Sequence, residues 1–185
     1  MRYTRAGLLR AAAAGGVAVA GGSALAAAPN DTDAEILNLF LLLEHMQEAF
    51  YRDALTGDRL EGELREFAAT VLPQERAHVA FLEERLGSRA HPPPQTGFEQ
   101  ALSTPERFRD TAIELEEAAI AAYIGQGPNL SRQTVGRVAG LVAVEARQVA
   151  WVRDLAGVSP APRVADPARK PDAVVAALRR KGYLR

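Results

Sequence analysis

A chain of 185 residues that is 48% hydrophobic has room for one compact domain with appendages, and not comfortably for a second full domain. Alanine, leucine, glutamate and arginine dominate, aromatic residues make up only 6%, and long Val/Ile/Thr runs are missing, so an all-α fold is favoured over a sheet. The absence of cysteine excludes disulfides, zinc–thiolate sites, iron–sulfur clusters and a cysteine nucleophile, and the formal net charge of −1 conceals a body, residues 27–157, that carries −9.

The first element is "MRYTRAGLLRAAAAGGVAVAGGSALAAAPND", in which Arg2, Arg5 and Arg10 precede an Ala/Gly/Leu/Val run and Ala24-Leu25-Ala26 offers a small-residue cleavage site. Residues 1–30 therefore read as an export signal, with the mature chain periplasmic or extracellular and without a membrane span. "TRAGLLR" is similar to a twin-arginine signal with Ala6 in place of the second arginine. A degraded signal of that kind, the general secretory route and an uncleaved anchor all stay open.

Four long helical patterns follow over residues 31–157. The first runs from about Asp33 to Leu55, capped by Thr32 or Asp33 and ended by Gly57, with a stripe of Leu37, Phe40, Leu41, Glu44, Tyr51 and Leu55. The second runs from about Asp58 to Gly87, with Leu64, Phe67, Val71, Glu75, His78, Leu82 and Leu86 on one face. Pro73 is expected to kink or break it just before Glu75. "GSRAHPPPQTG", residues 87–97, is too long for a tight hairpin and reads as a crossover. The third helix starts near Thr104-Pro105 and ends at "GQGPNL"; the fourth spans Ser131 to Gly157 with Val138, Leu141, Glu145, Gln148, Val152 and Leu155 aligned. Residues 158–185 form an extended basic tail, seven basic against two acidic residues, in which "DAVVAALRRKGYLR" can make one short helix. Positive charge confined to one short end does not suit a nucleic-acid binder, and the tail is expected to lie against the acidic body.

Two short connections flanking one long one predict two helical hairpins packed as a four-helix bundle. The segments repeat: "LEHMQEAFY" (43–51) matches "LEEAAIAAY" (115–123), and "QERAHVAFL" matches "VEARQVAWV", with 31 residues from Glu44 to Glu75 and 29 from Glu116 to Glu145. Each of these four glutamates sits mid-helix on an apolar stripe, so all four project into the bundle core. Unpaired carboxylates there cost several kcal/mol apiece. Arg76 and Arg147 are turned about 100° and 200° away from Glu75 and Glu145. Protonation with raised acidities is one means of neutralisation. A pair of divalent ions is the more economical, because glutamates from two helices with Glu-x-x-His from the others is a di-iron or di-manganese pattern, and an imidazole one turn along can ligate the ion beside its carboxylate.

At "LNLFLLLEHMQEAFY", "QERAHVAFLEERLG", "LEEAAIAAYIGQGP" and "AVEARQVAWVRDLAG" the chain resembles the ferritin-like superfamily, and within it exported bacterial ferritin-like proteins related to the plant desiccation-associated protein. The resemblance covers residues 33–157 and reaches loosely to "DAVVAAL". It implies a ferritin-like four-helix bundle, iron or manganese as cofactor, Glu44 and Glu116 as terminal ligands, Glu75 and Glu145 as bridging ligands, and His78 as a nitrogen ligand. Gln148 stands where the family pattern has histidine, and an amide oxygen is a weaker ligand for iron than imidazole. Tyr51 and Tyr123 resemble tyrosines that support such ligands or carry an electron.

Other polar residues have plainer readings. Glu48 is expected at the bundle edge, His45 at the surface, His91 in the loop, and Glu114 and Glu117 on a solvated face, while Phe81 and Trp151 occupy equivalent packing positions. The expected activity is ferrous-iron oxidation or peroxide breakdown in stress protection, with metal ions as partners and a homodimer left open. The rival is a metal-free structural or interaction protein whose site has decayed, and a shell that stores iron fits less well. No phosphate-binding glycine loop, nucleophile elbow or dinucleotide fingerprint is present.

Overall fold

The computed structural model describes residues 28–185, so the export signal read at residues 1–30 falls outside the described residues except for its last three. Five α-helices follow in order: α1 (Asp31–Thr56), α2 (Gly62–Leu86), α3 (Pro105–Gln126), α4 (Arg132–Leu155) and α5 (Pro171–Arg180). Among the described residues there is no strand, and an isolated antiparallel bridge joins Thr96 to Leu184. None of the described helices is long and apolar enough to cross a membrane.

Side-chain caps start three of the helices. Asn30, rather than Thr32 or Asp33, caps α1 by accepting from the Asp33 amide at 2.8 Å. Thr104 and Ser131 do the same for Arg107 and Thr134, at 3.2 and 3.3 Å. The second helix begins at Gly62, later than Asp58, because the chain first bends to bury Leu60. Pro73 does not break it: α2 is one unbroken helix. Pro73 and Ala69, whose carbonyl loses its partner, both lie on the exposed side, where that carbonyl is not sealed in the core.

The helices form two hairpins, α1 with α2 and α3 with α4, and the hairpins join chiefly through α1 and α3. The α2–α4 contact is the slightest of the four. Phe40, Phe50, Phe67, Phe108 and Met46 are fully buried, with the Phe50 and Phe108 rings stacked at 5.2 Å. Burial of this kind is worth about 1.5–3 kcal/mol per large side chain. Asn38 anchors the crossover by donating to the Arg89 carbonyl at 3.0 Å and accepting from the His91 amide at 2.8 Å.

The basic tail packs on the body. Val174 and Leu178 of α5 are buried, Lys181 pairs with Glu114, and Arg185 pairs with Glu99 at 2.9 Å. The Arg169 amide donates to the Ala121 carbonyl at 3.0 Å, and the backbone passes so close to Gly125 that a Cβ there would lie 2.3 Å from the Arg169 oxygen.

Candidate metal centre

The four hairpin helices bring Glu44 (α1), Glu75 (α2), Glu116 (α3) and Glu145 (α4) into the bundle interior, each with no exposed surface. The helical repeat accounts for this, since a glutamate on an otherwise apolar stripe goes where the stripe goes. His78 and Gln148, three residues beyond Glu75 and Glu145, share their faces and are 7% and 3% exposed.

The carboxylates converge unevenly. The His78 Nδ1 lies 3.0 Å from Glu44 Oε2, 3.0 Å from Glu145 Oε1 and 3.5 Å from Glu75 Oε2. Donor atoms of Glu44, Glu75, His78 and Glu145 all lie within 4.8 Å of one another. Four donor atoms this close together could hold one metal ion. Glu75 Oε2 and Glu145 Oε1 are buried and make no hydrogen bond. Two orphaned carboxylate oxygens beside a ring nitrogen fit a divalent cation, and a nitrogen with three carboxylates is a donor set suited to iron or manganese.

Glu116 is placed differently. Its Oε1 accepts from the Tyr51 hydroxyl and its Oε2 from the Gln47 amide at 2.9 Å, and the same amide donates to Glu145 Oε2 at 2.9 Å. Gln148 donates to Glu75 Oε1 at 2.7 Å and to Gln74 at 3.1 Å, so its nitrogen rather than its oxygen faces the carboxylate.

Each tyrosine serves the opposite hairpin. Tyr51 bonds Glu116, and Tyr123 donates to Glu44 Oε1 at 2.5 Å. By sequence each appears two turns from the glutamate of its own helix, but it spans the α1–α3 interface instead.

Without an ion, protons carry the compensating charge. Burial and then the Glu145 charge push the Glu75 carboxyl well above the usual carboxylate range, and burial with Glu145 and Glu75 does the same to Glu116. Burial works against ionisation of Glu44, yet the charge and hydrogen bond of His78 hold it below its ordinary value. His78 is raised: burial disfavours its cation, but the charge of Glu44 and the close carboxyls of Glu145 and Glu75 outweigh it. Burial and the neighbouring carboxylates raise both Tyr51 and Tyr123, which keep their protons and act as donors. Both expected means of neutralisation, a cation and protonation, thus bear on the same atoms.

Some residues depart from the sequence reading. His45 is buried at 7% exposure, not at the surface, with Nε2 3.8 Å from Glu83 on the α1–α2 seam. The helix that carries it is covered on most sides, 16 of its 26 residues being buried. Glu114 and Glu117 are half-buried in ion pairs with Lys181 and Arg153. Glu48 is at the edge, 3.3 Å from Arg76, and Phe81 and Trp151 pack half-buried against the core. The residue that sequence reasoning missed is Gln47, 1% exposed. Its signal was present: it follows Glu44 at the same spacing by which His78 follows Glu75.

Comparison with curated proteins returns no significant match. Residues 32–158, more than half of the chain, match the family model described as the ferritin-like domain. With the helical bundle and its buried glutamate–histidine group already in view, this match means that the chain belongs to the ferritin-like domain family.

Proposed function

We propose that this protein is an exported metal–carboxylate protein that oxidises ferrous iron or breaks down peroxide, protecting the cell envelope under stress. The observation that carries the metal reading is the meeting of three carboxylate oxygens, two of them orphaned, at the Nδ1 of a buried histidine. Bound iron or manganese would supply one-electron redox chemistry and Lewis acidity toward a peroxide oxygen. Glu44, Glu75, Glu145 and His78 would hold it. The remaining contacts orient those ligands: Tyr123 fixes Glu44, Gln148 fixes Glu75 and Gln47 fixes Glu145. In this reading the Tyr51 and Tyr123 phenols, each bonded to a carboxylate, would be the electron carriers, and that role is supported only by these hydrogen bonds. Export rests on Arg2, Arg5 and Arg10 before the apolar run.

A second reading, a metal-free bundle with a structural or interaction role, draws on one observation. His78, Gln47, Gln148 and the two tyrosines already satisfy most of the carboxylate oxygens, so the core can close without an ion. Elemental analysis after loading the purified chain with Fe(II) or Mn(II), followed by desalting, separates the readings. Metal retained by the wild type, lost in Glu75→Ala, with ferrous oxidation or peroxide consumption above a protein-free control, supports the first. A correctly folded chain that retains no metal refutes it.

A further inference from the structure

We infer that the centre holds a single metal ion per chain, framed by Glu44, Glu75, His78 and Glu145, and that the amide of Gln47 fills the place of a second ion. This rests on the metal reading above and sharpens it. The eight oxygens of the four glutamates divide cleanly. Three of them, Glu44 Oε2, Glu75 Oε2 and Glu145 Oε1, face His78 Nδ1 at 3.0, 3.5 and 3.0 Å. The other five each accept from a protein donor: Glu44 Oε1 from Tyr123, Glu75 Oε1 from Gln148, Glu145 Oε2 and Glu116 Oε2 from Gln47, and Glu116 Oε1 from Tyr51. Every oxygen without a neutral hydrogen-bond donor therefore points to one place. Of the four glutamates, Glu116 alone has neither oxygen facing His78, and both of its oxygens accept from protein donors.

The Gln47 amide lies between Glu116 and Glu145, where a cation shared by them would have to sit. Its Nε2 lies 2.9 Å from both Glu116 Oε2 and Glu145 Oε2, so one amide group bridges the two carboxyls. At 1% exposure and packed against α3 and α4, it has no solvent to swing into. The internal repeat makes the point independently. Position 47 corresponds to 119 and position 78 to 148, so the chain has Gln47 where its other half has Ala119, and Gln148 where its other half has His78. Both departures bear on the second position. One adds a donor where an ion would need space, and the other sets a neutral amide, a weaker ligand than imidazole, beside Glu75.

The test is a count of bound ions. The full chain is equilibrated with excess Mn(II), passed through a desalting column and assayed for manganese and protein, with EPR to distinguish an isolated ion from a coupled pair. One ion per chain with an isolated-ion spectrum is expected. Glu116→Gln should keep that ion with Kd changed by less than about tenfold, whereas Gln47→Ala combined with Gln148→His should bind two, folding being checked by circular dichroism. Two ions in the wild type, or loss of the ion in Glu116→Gln, would overturn the inference and leave the metal reading standing. No ion in the wild type would overturn the metal reading itself. A folded double variant that stays at one ion would overturn the role given to Gln47.

Discussion

Replacing Asp33 with alanine is expected to detach the start of α4 from α1 at a large cost in stability. Asp33 is 2% exposed, and its carboxylate accepts from the Ser131 amide at 2.9 Å and from the Ser131 and Thr134 hydroxyls at 2.6 Å each. It thus places a negative charge at the N-terminus of the helix that carries Glu145 and Gln148. Hydrogen bonds to a charged group contribute about 1.5–3 kcal/mol each, but three that share one carboxylate are not additive, so we expect a total of about 2–4 kcal/mol. For a domain of this size that corresponds to a fall in Tm of about 4–16 °C. The pH dependence adds a second check. Burial tends to raise the Asp33 carboxyl, yet the hydrogen bonds from Ser131 and Thr134 hold it below its ordinary value. A depressed carboxyl contributes stability that is present above its unfolded value and disappears as pH falls through the folded one. Thermal melts of wild type and Asp33→Ala from pH 7 to pH 3 should show a gap that is steady at neutral pH and narrows below about pH 4. A loss of under about 1 °C at pH 7, or a gap unchanged at pH 3, would refute the argument.

Further outcomes follow from the centre and the tail. Saturation with Mn(II) at about 100 times Kd should stabilise the chain by about 2.7 kcal/mol, or about 5–11 °C in Tm, reversed by chelator; identical melts with and without metal would count against a filled site. Tyr123→Phe releases Glu44 Oε1 and should weaken metal binding about threefold to tenfold, while Tyr51→Phe, which frees only Glu116, should leave it within about twofold; equal effects of the two in a metal titration would contradict the division of oxygens. Gly125→Ala would drive a methyl against the Arg169 carbonyl at 2.3 Å, so α5 should exchange its amide hydrogens faster than in wild type, and unchanged protection of residues 171–180 would argue that the crossing is not tight.

Much of the candidate centre was legible along the chain because helix periodicity is local. Glu44, Glu75, Glu116 and Glu145 could be assigned to the core from the leucines, valines and phenylalanines around them, and His78 to the same face as Glu75 from a separation of three. Gln47 obeys the same rule but was overlooked, since a glutamine beside several charged residues looks like any solvated position until the opposite helix is known. His45 misled for the converse reason. A position 100° from the core face of an ordinary bundle helix meets water, but α1 packs against both α2 and α3 and 16 of its 26 residues are buried, so even the flank that carries His45 is covered.

The amino-acid sequence by itself determined the helices, their pairing into two hairpins and the four inward carboxylates. These depend on residue spacing and on the cost of burying charge, and both can be read without knowing how helices pack. Only the tertiary structure decided that Tyr51 and Tyr123 exchange hairpins, that Glu116 turns both oxygens to protein donors, and that the oxygens of the other three glutamates gather at His78 rather than at two equal positions. Those outcomes turn on the rotation and depth of one helix against another. A shift of an ångström there exchanges a hydrogen bond for a ligand position, and no spacing along a single helix records it.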